Sequence, residues 1–404
     1  MNAPVAPSLF GSVDLAPRDP ILGVSEAFAA ETNPGKVNLG VGVYVDDDGK
    51  VPVLVCVRQA EATIAAQHAP RSYLPIDGIP AYDKAAKVMV LGADNPIIAA
   101  GRSVTVQALG GTGALKVGAD FLKRFAPGAG VWISDPSWEN HRALFEQAGF
   151  PVSNYPYYNP VSRNLDIEGM IGTLEKLAPG SIVVLHACCH NPTGVDPSRE
   201  QWKRILDTVR GRGLVPFLDF AYQGFGDGID ADATVVHAFA ATPGPLFISS
   251  SFSKSFSLYG ERVGALTVVT DTPDEAQRVL SQLKRVVRAN YSNPPTFGGR
   301  TVSTILESPD LRALWEKELG GMRDRIKAMR HGLADRLSAA KPGRDFSYMT
   351  RQRGMFSYSG LSKEAVATLR RDHAIYMLDT GRICVAALNS KNLDKVAAAV
   401  AQVI

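Results

Sequence analysis

Leu214-Val215-Pro216-Phe217-Leu218-Asp219 is the stretch on which the reading of the fold turns. It is a short, nearly continuous apolar run that ends in an acid. A run of this length, apolar on both faces, reads as a strand covered on both sides, the pattern of a parallel sheet. The residues around it repeat the theme. Gln201 to Arg210 before it has the spacing of an amphipathic helix, and Ser181-Ile182-Val183-Val184-Leu185-His186 before that is another apolar run. Upstream lie Val131-Trp132-Ile133-Ser134-Asp135, read as a strand, and Gly111 to Phe125, read as a helix on the spacing of Leu115, Gly118, Ala119 and Leu122. Downstream, Leu246-Phe247-Ile248-Ser249-Ser250 and Gly264-Ala265-Leu266-Thr267-Val268-Val269 read as further strands. Strand alternating with helix predicts right-handed βαβ units and a largely parallel central sheet with helices on both faces. The chain turns helical from Val286, and Leu311 to Leu337 reads as one long helix with Gly320 and Gly321 marking a kink or boundary. Phe346 to Ile404 reads as a smaller α+β unit.

Composition narrows the function classes. With 404 residues, 45% hydrophobic and 21% charged, the chain has the balance of a globular protein large enough for more than one domain. A formal net charge of +3 with no block of like charges gives no case for nucleic acid or a membrane surface. Four cysteines, two of them adjacent at Cys188 and Cys189, do not make a disulfide framework. No run approaches the roughly 18 apolar residues of a membrane helix, and Met1 to Ser8 carries no basic residue and leads into no signal-like core. A cytoplasmic protein with reduced thiols is expected. Residues 1–20, rich in Ala and Pro, read as an N-terminal arm, with a disordered tail as the equal alternative.

Ligands of open parallel sheets sit beyond the carboxyl ends of the strands, so the polar residues that follow apolar runs are the candidates. Ser251-Phe252-Ser253-Lys254-Ser255-Phe256 places a lysine among small hydroxyls directly after a buried strand, and Arg262 follows shortly after. Most lysines are solvated, but a partly desolvated amine has a lowered pKa and can act as a nucleophile. Two hydroxyls, a lysine and an arginine suit one phosphate plus one aldehyde. Asp219 ends its strand and is costly there unless paired. It could hold a pyridinium nitrogen; a helix N-cap is the plain alternative. Gly110-Gly111-Thr112-Gly113 opens a helix, where backbone N–H groups favour an anion. It is neither a P-loop nor a dinucleotide fingerprint. Asn191 in His190-Asn191-Pro192-Thr193-Gly194 offers an amide to a ligand oxygen, or serves only as a turn.

At these residues the chain resembles the class I aspartate and aromatic-amino-acid (tyrosine) aminotransferases. The matching stretches run from end to end: Val37-Asn38-Leu39-Gly40-Val41-Gly42, Gly111-Thr112-Gly113-Ala114-Leu115, Ser134-Asp135-Pro136-Ser137-Trp138-Glu139-Asn140-His141, His190 to Gly194, Ser251 to Lys254, Tyr259-Gly260-Glu261-Arg262-Val263-Gly264, Tyr291-Ser292-Asn293-Pro294-Pro295 and Arg353-Gly354-Met355-Phe356-Ser357-Tyr358. The wording around Trp138, Cys188-Cys189 and Tyr259-Gly260 is closer to the bacterial tyrosine enzymes.

The resemblance implies an α/β architecture of PLP fold type I. It implies a large cofactor domain at 50–317 and a small domain made from 21–49 with 318–404. It implies a homodimer with shared sites and pyridoxal 5'-phosphate as cofactor. By matched position, Lys254 is the Schiff-base lysine and proton shuttle, Asp219 pairs with the ring nitrogen, and Tyr222 and Asn191 bond the phenolic oxygen. Trp138 stacks on the ring. Gly111, Thr112, Ser251 and Arg262 hold the phosphate, with Tyr73 reaching in from the neighbouring subunit. Arg382 takes the substrate α-carboxylate, helped by Gly42, and His141 supports Asp219. Arg288 takes a side-chain carboxylate. Gly110 stands where some relatives carry a serine on the phosphate. The implied activity is ping-pong transfer of an amino group from aromatic or acidic L-amino acids to 2-oxo acids, with aromatic substrates favoured. The alternatives are a strict aspartate enzyme and a non-catalytic cofactor sensor. A lyase is disfavoured by the two arginines that suit a dicarboxylate, and no metal is called for.

Overall fold

The computed structural model describes residues 8–16 and 22–404. Of the arm read at 1–20, residues 1–7 and 17–20 lie outside the described residues; residues 8–16 run as turns and irregular chain on the surface.

The centre is a seven-stranded sheet built from β1 (Ser103–Leu109), β2 (Val131–Asp135), β3 (Val152–Pro156), β4 (Ile182–His186), β5 (Val215–Phe220), β6 (Leu246–Ser251) and β7 (Val263–Val269). Its spatial order is β1-β7-β6-β5-β4-β2-β3. The five strands from β6 to β3 are parallel to their neighbours. The central run is buried from Phe217 to Phe220, as an apolar strand covered on both faces should be. Two features depart from the sequence reading. β7 is antiparallel to both β6 and β1. The chain returns from β6 through residues 252–262 without a crossover helix, and only an antiparallel partner can be reached that way. β1 itself is absent from the sequence reading, because Ser103, Thr105 and Gln107 alternate with apolar residues like a half-solvated strand. The three are buried instead, and the Thr105 hydroxyl pairs with that of Thr267 at 2.8 Å.

Helices cover the sheet. α1 (Gly110–Phe125) follows β1 directly, α2 (Glu139–Gln147) follows β2, and α3 (Arg199–Gly211) links β4 to β5 behind a Ser198/Gln201 capping box. α4 (Pro273–Asn290) starts well before Val286, where the Thr272 hydroxyl caps the N–H of Glu275. α5 (Pro309–Ala340) is continuous through Gly320 and Gly321, so no break occurs at the glycine pair. Two short pairings tie the ends of the chain together. Val37–Asn38 lies parallel to Ile375–Tyr376, and Phe356–Tyr358 lies antiparallel to Arg382–Cys384. The N–H of Cys384 donates to the carbonyl of Leu39 at 2.8 Å, so the segment leading to Gly42 runs beside Arg382. Among the described residues, no helix is long and apolar enough to cross a membrane.

Candidate active site

Parallel strands deliver their carboxyl ends to one edge of the sheet. His186 ends β4 directly opposite Asp219 in β5, and Ser251 ends β6. A cavity of about 470 Å³ lies there. Gly42, Gly111, Thr112, Trp138, Asn191, Asp219, Tyr222, Ser251, Lys254, Arg262 and Arg382 all line it. His141 lies one layer behind, bonded to Asp219.

Lys254 is half-buried and lines the cavity. Its ammonium lies 5.0 Å from the centre of the Tyr222 ring. Burial lowers its pKa to about 8; the Asp219 carboxylate opposes that shift, while Arg262 and Arg382 add to it. A neutral, nucleophilic amine is therefore accessible near physiological pH. Burial moves the Tyr222 phenol the other way, well above its ordinary value, so it remains a hydroxyl donor.

Asp219 is buried, and burial alone would raise its pKa. The hydrogen bond from His141, with favourable electrostatics from His141, His186 and Lys254, outweighs burial, leaving the carboxyl below its ordinary value and ionised. His141 Nε2 donates to Asp219 Oδ2 at 3.0 Å, since a carboxylate can only accept. Nδ1 of that tautomer accepts from the Ser137 hydroxyl at 2.9 Å. Asp219 lies inside β5 and opens no helix, so the N-cap alternative does not hold.

At one end of the cavity α1 presents its N-terminus. The residue before it, Leu109, has no side-chain acceptor to spend on the first-turn N–H groups. Arg262 faces this end, its Nη1 donating to the Tyr259 carbonyl at 3.0 Å and to Ser253 Oγ at 3.4 Å. Gly110 makes the approach feasible: its φ is +69°, and a Cβ there would stand 2.5 Å from Arg262 Nη2. The Ser251 hydroxyl lies 3.2 Å from that of Ser253. A helix N-terminus, a guanidinium and two hydroxyls are the donor set of a phosphate cradle.

At the other end sits Arg382, which is 1% exposed. Its Nη1 donates to Asn191 Oδ1 at 3.0 Å and its Nη2 to the Gly40 carbonyl at 2.6 Å. Its guanidinium lies 4.3 Å from the Phe356 ring centre. Nε is buried and has no partner among the described residues. A buried guanidinium lining a cavity, with no carboxylate paired to it among the described residues, suits the carboxylate of a ligand.

Two candidates lie apart from this group. Tyr73 is 92% exposed, and Arg288, near the end of α4, is exposed and donates to the Ser292 hydroxyl. Two further cavity residues have no site role in the sequence reading. His186 is buried with an unpartnered Nε2, and the Tyr259 hydroxyl accepts the N–H of Tyr44 at 2.9 Å. His186 was legible only as the last residue of an apolar run; its neighbour in the adjacent strand is a matter of register. Phosphate donors at one end, an ionised acid at the base, a poised lysine and a carboxylate-binding arginine together fit pyridoxal phosphate and an amino acid.

Comparison with known proteins agrees with this chemistry. Residues 34–400 match the family described as aminotransferase class I and II. The chain is 59% identical to the aspartate aminotransferase of Pseudomonas aeruginosa, over 98% of this chain and 100% of that one. It is 48% identical to the aromatic-amino-acid aminotransferase of Escherichia coli, again over 98% of this chain and 100% of that one. Among solved structures it is similar to the aromatic-amino-acid aminotransferase of Burkholderia pseudomallei covalently bound to pyridoxal phosphate. That match has 63% identity and a TM-score of 0.96, covering 98% of this chain and 99% of that one. The chain belongs to the class I and II aminotransferases and is a pyridoxal-phosphate-dependent transaminase.

Proposed function

We propose that this enzyme accepts both aromatic and acidic L-amino acids, aromatic ones preferentially, passes the amino group to 2-oxo acids such as 2-oxoglutarate, and works as a homodimer in the cytoplasm. The observation that carries the reading is the buried Arg382, which lines the same cavity as Lys254 and is held there by Asn191 and the Gly40 carbonyl. When bound, pyridoxal phosphate supplies an aldehyde carbon for the amino group and a ring that delocalises the electron pair left at Cα.

The chain's own residues do the rest. Gly111, Thr112, Ser251 and Arg262 anchor the phosphate. Asp219, oriented by His141, keeps a proton on the ring nitrogen. Tyr222 and the amide nitrogen of Asn191 donate toward the phenolic oxygen, the Asn191 Oδ1 being already engaged by Arg382. Trp138 covers one ring face. Arg382 and the backbone at Gly42 fix the α-carboxylate, which points the Cα–H bond at Lys254. Lys254 Nζ is the group that would take up that proton and give it back. The small domain would comprise 21–49 with 318–404 and the large one 50–317, with α5 continuous across their boundary.

Exposure of Tyr73 and Arg288 in the single chain is what a shared site requires. Pairing an inactive Lys254→Ala chain with an impaired Tyr73→Ala chain should restore activity in the hybrid dimer, where one site regains both intact residues. Recovery to about half the wild-type activity per hybrid is expected; no recovery after verified subunit exchange means that Tyr73 serves its own subunit.

Specificity rests on Arg288. Its guanidinium would pair with a substrate side-chain carboxylate and swing aside for an aromatic ring, and exposure leaves it the room. Arg288→Leu should cost about 1.5–3 kcal/mol in kcat/KM for aspartate, the scale of a charge-assisted hydrogen bond. Phenylalanine and tyrosine should change by less than threefold. Steady-state kinetics with these substrates decides it: equal losses would make Arg288 structural. A wild-type enzyme that turns over aspartate but not tyrosine would point instead to the strict aspartate reading, which the name of the Pseudomonas aeruginosa relative favours.

A further inference from the structure

The segment that carries Asn191 holds a second group of reactive side chains on its other side. Cys188 and Cys189 are consecutive and buried. Successive residues of an extended chain point to opposite faces, but Cys189 has φ of 53°, in the left-handed region. That turn brings both side chains to the same side, where the buried Asp232 carboxylate meets them. One sulfur from each cysteine and one carboxylate oxygen all lie within 4.8 Å of one another. A left-handed non-glycine residue is strained and persists only where its surroundings impose it. Here position 354 is matched to it: a Cβ on Gly354, whose own φ is +76°, would stand 2.4 Å from Cys189 Cβ. Asp232 is held firmly, accepting the N–H groups of Gly224, Gly226 and Asp227 at 2.8, 2.9 and 2.8 Å. Three bonds leave one of its roughly four acceptor positions free. Cys188 and Asp232 line a cavity of about 640 Å³ whose rim includes the exposed Ser198 and Arg199, and which shares no lining residue with the Lys254 cavity.

We propose that Cys188, Cys189 and Asp232 bind a soft divalent cation of the zinc and cadmium class, with water from this second cavity completing a four-coordinate shell. Two thiolates and a carboxylate are a donor set that such ions prefer. The exchange balances simply: two S–H bonds break, two metal–sulfur bonds form, and two protons leave to solvent. Each thiol must lose its proton to bind the ion, so binding tightens as pH rises. Cys189 lies two residues from Asn191, which accepts from Arg382; metal binding therefore strains the carboxylate end of the active site and inhibits turnover.

The test is a cadmium titration of the full-length holoenzyme, read by the ultraviolet thiolate-to-cadmium charge-transfer band together with transaminase activity. The other two cysteines, Cys56 and Cys384, are buried elsewhere and are both replaced by serine in a parallel preparation. The expected result is one equivalent bound in both proteins, with activity falling in step. Cys188→Ser should abolish the band, and Asp232→Asn should weaken binding at least tenfold. Absence of a band in the unmodified holoenzyme overturns the proposal, as does a band that survives in both Cys188→Ser and Cys189→Ser. Inhibition by cadmium without the band overturns it too.

Discussion

Lys254→Ala is expected to lower transamination by on the order of 10⁶-fold, the scale on which an enzyme loses its nucleophile and base together, while pyridoxal phosphate still binds without a covalent link. The same nitrogen is assigned two tasks, attaching the cofactor and moving the Cα proton, so no neighbour can substitute for it. Tyr222, whose ring centre lies 5.0 Å from Nζ, stays protonated because burial raises its pKa. Single-turnover spectra of the variant with glutamate check this: near-normal turnover, or a cofactor still fixed by borohydride, would remove Lys254 from the centre of the chemistry. The wild-type apoprotein offers a second reading of the same amine. Its pKa is lowered to about 8, so it is charged below pH 8 and neutral above, and only the neutral amine attacks an aldehyde. Covalent capture of pyridoxal phosphate by the apoprotein should rise tenfold per pH unit up to about pH 8 and then level off. An ordinary lysine would keep rising toward about 10.4. Borohydride reduction followed by intact mass measurement gives the profile, and a midpoint near the ordinary value would show that burial does not tune this residue.

Asp219→Ala should cost about 3–5 kcal/mol in the proton-removal step, roughly two to four decades in rate, the range for stripping one member from a buried charge pair. Two groups lose their partner at once: the ring nitrogen, which needs an ionised neighbour to stay protonated, and His141, whose Nε2–H points at Asp219 from 3.0 Å. Cofactor affinity should fall as well. Asp219→Asn separates charge from packing. It keeps the shape of the side chain and removes the negative charge, so it should be nearly as slow as the alanine variant. Rapid-mixing measurement of the first half-reaction with a good amino acid decides it. Should Asp219→Asn match the wild-type rate, Asp219 serves only to hold His141 in place.

The two ends of the site differ in how far they could be read without coordinates. Lys254, Asp219 and the Gly110-Gly111-Thr112 turn stood out locally, because a lysine or acid beside an apolar strand, or glycines opening a helix, breaks the pattern of its own neighbourhood. Arg382 did not. It lies far from every other site residue in the chain, and only the matched position marked it before the Phe356–Tyr358 and Arg382–Cys384 pairing brought it beside Gly40 and Asn191. His186 was invisible for a related reason: its significance is the register that sets it opposite Asp219.

By itself the sequence determined the alternation of apolar runs and helical stretches, hence a mostly parallel sheet, and the chemistry waiting at the strand ends. Those are local properties, set by hydrophobic periodicity and by residues that are costly where they stand. Only the tertiary structure decided that β7 runs antiparallel, that β1 with its alternating polar residues is buried, and that Cys188, Cys189 and Asp232 converge. Strand direction depends on how a connection returns, burial of a polar strand on whether a group such as the Thr105 hydroxyl finds a partner across the sheet, and convergence on contacts between distant segments. None of these is encoded in the spacing of residues along one stretch of chain.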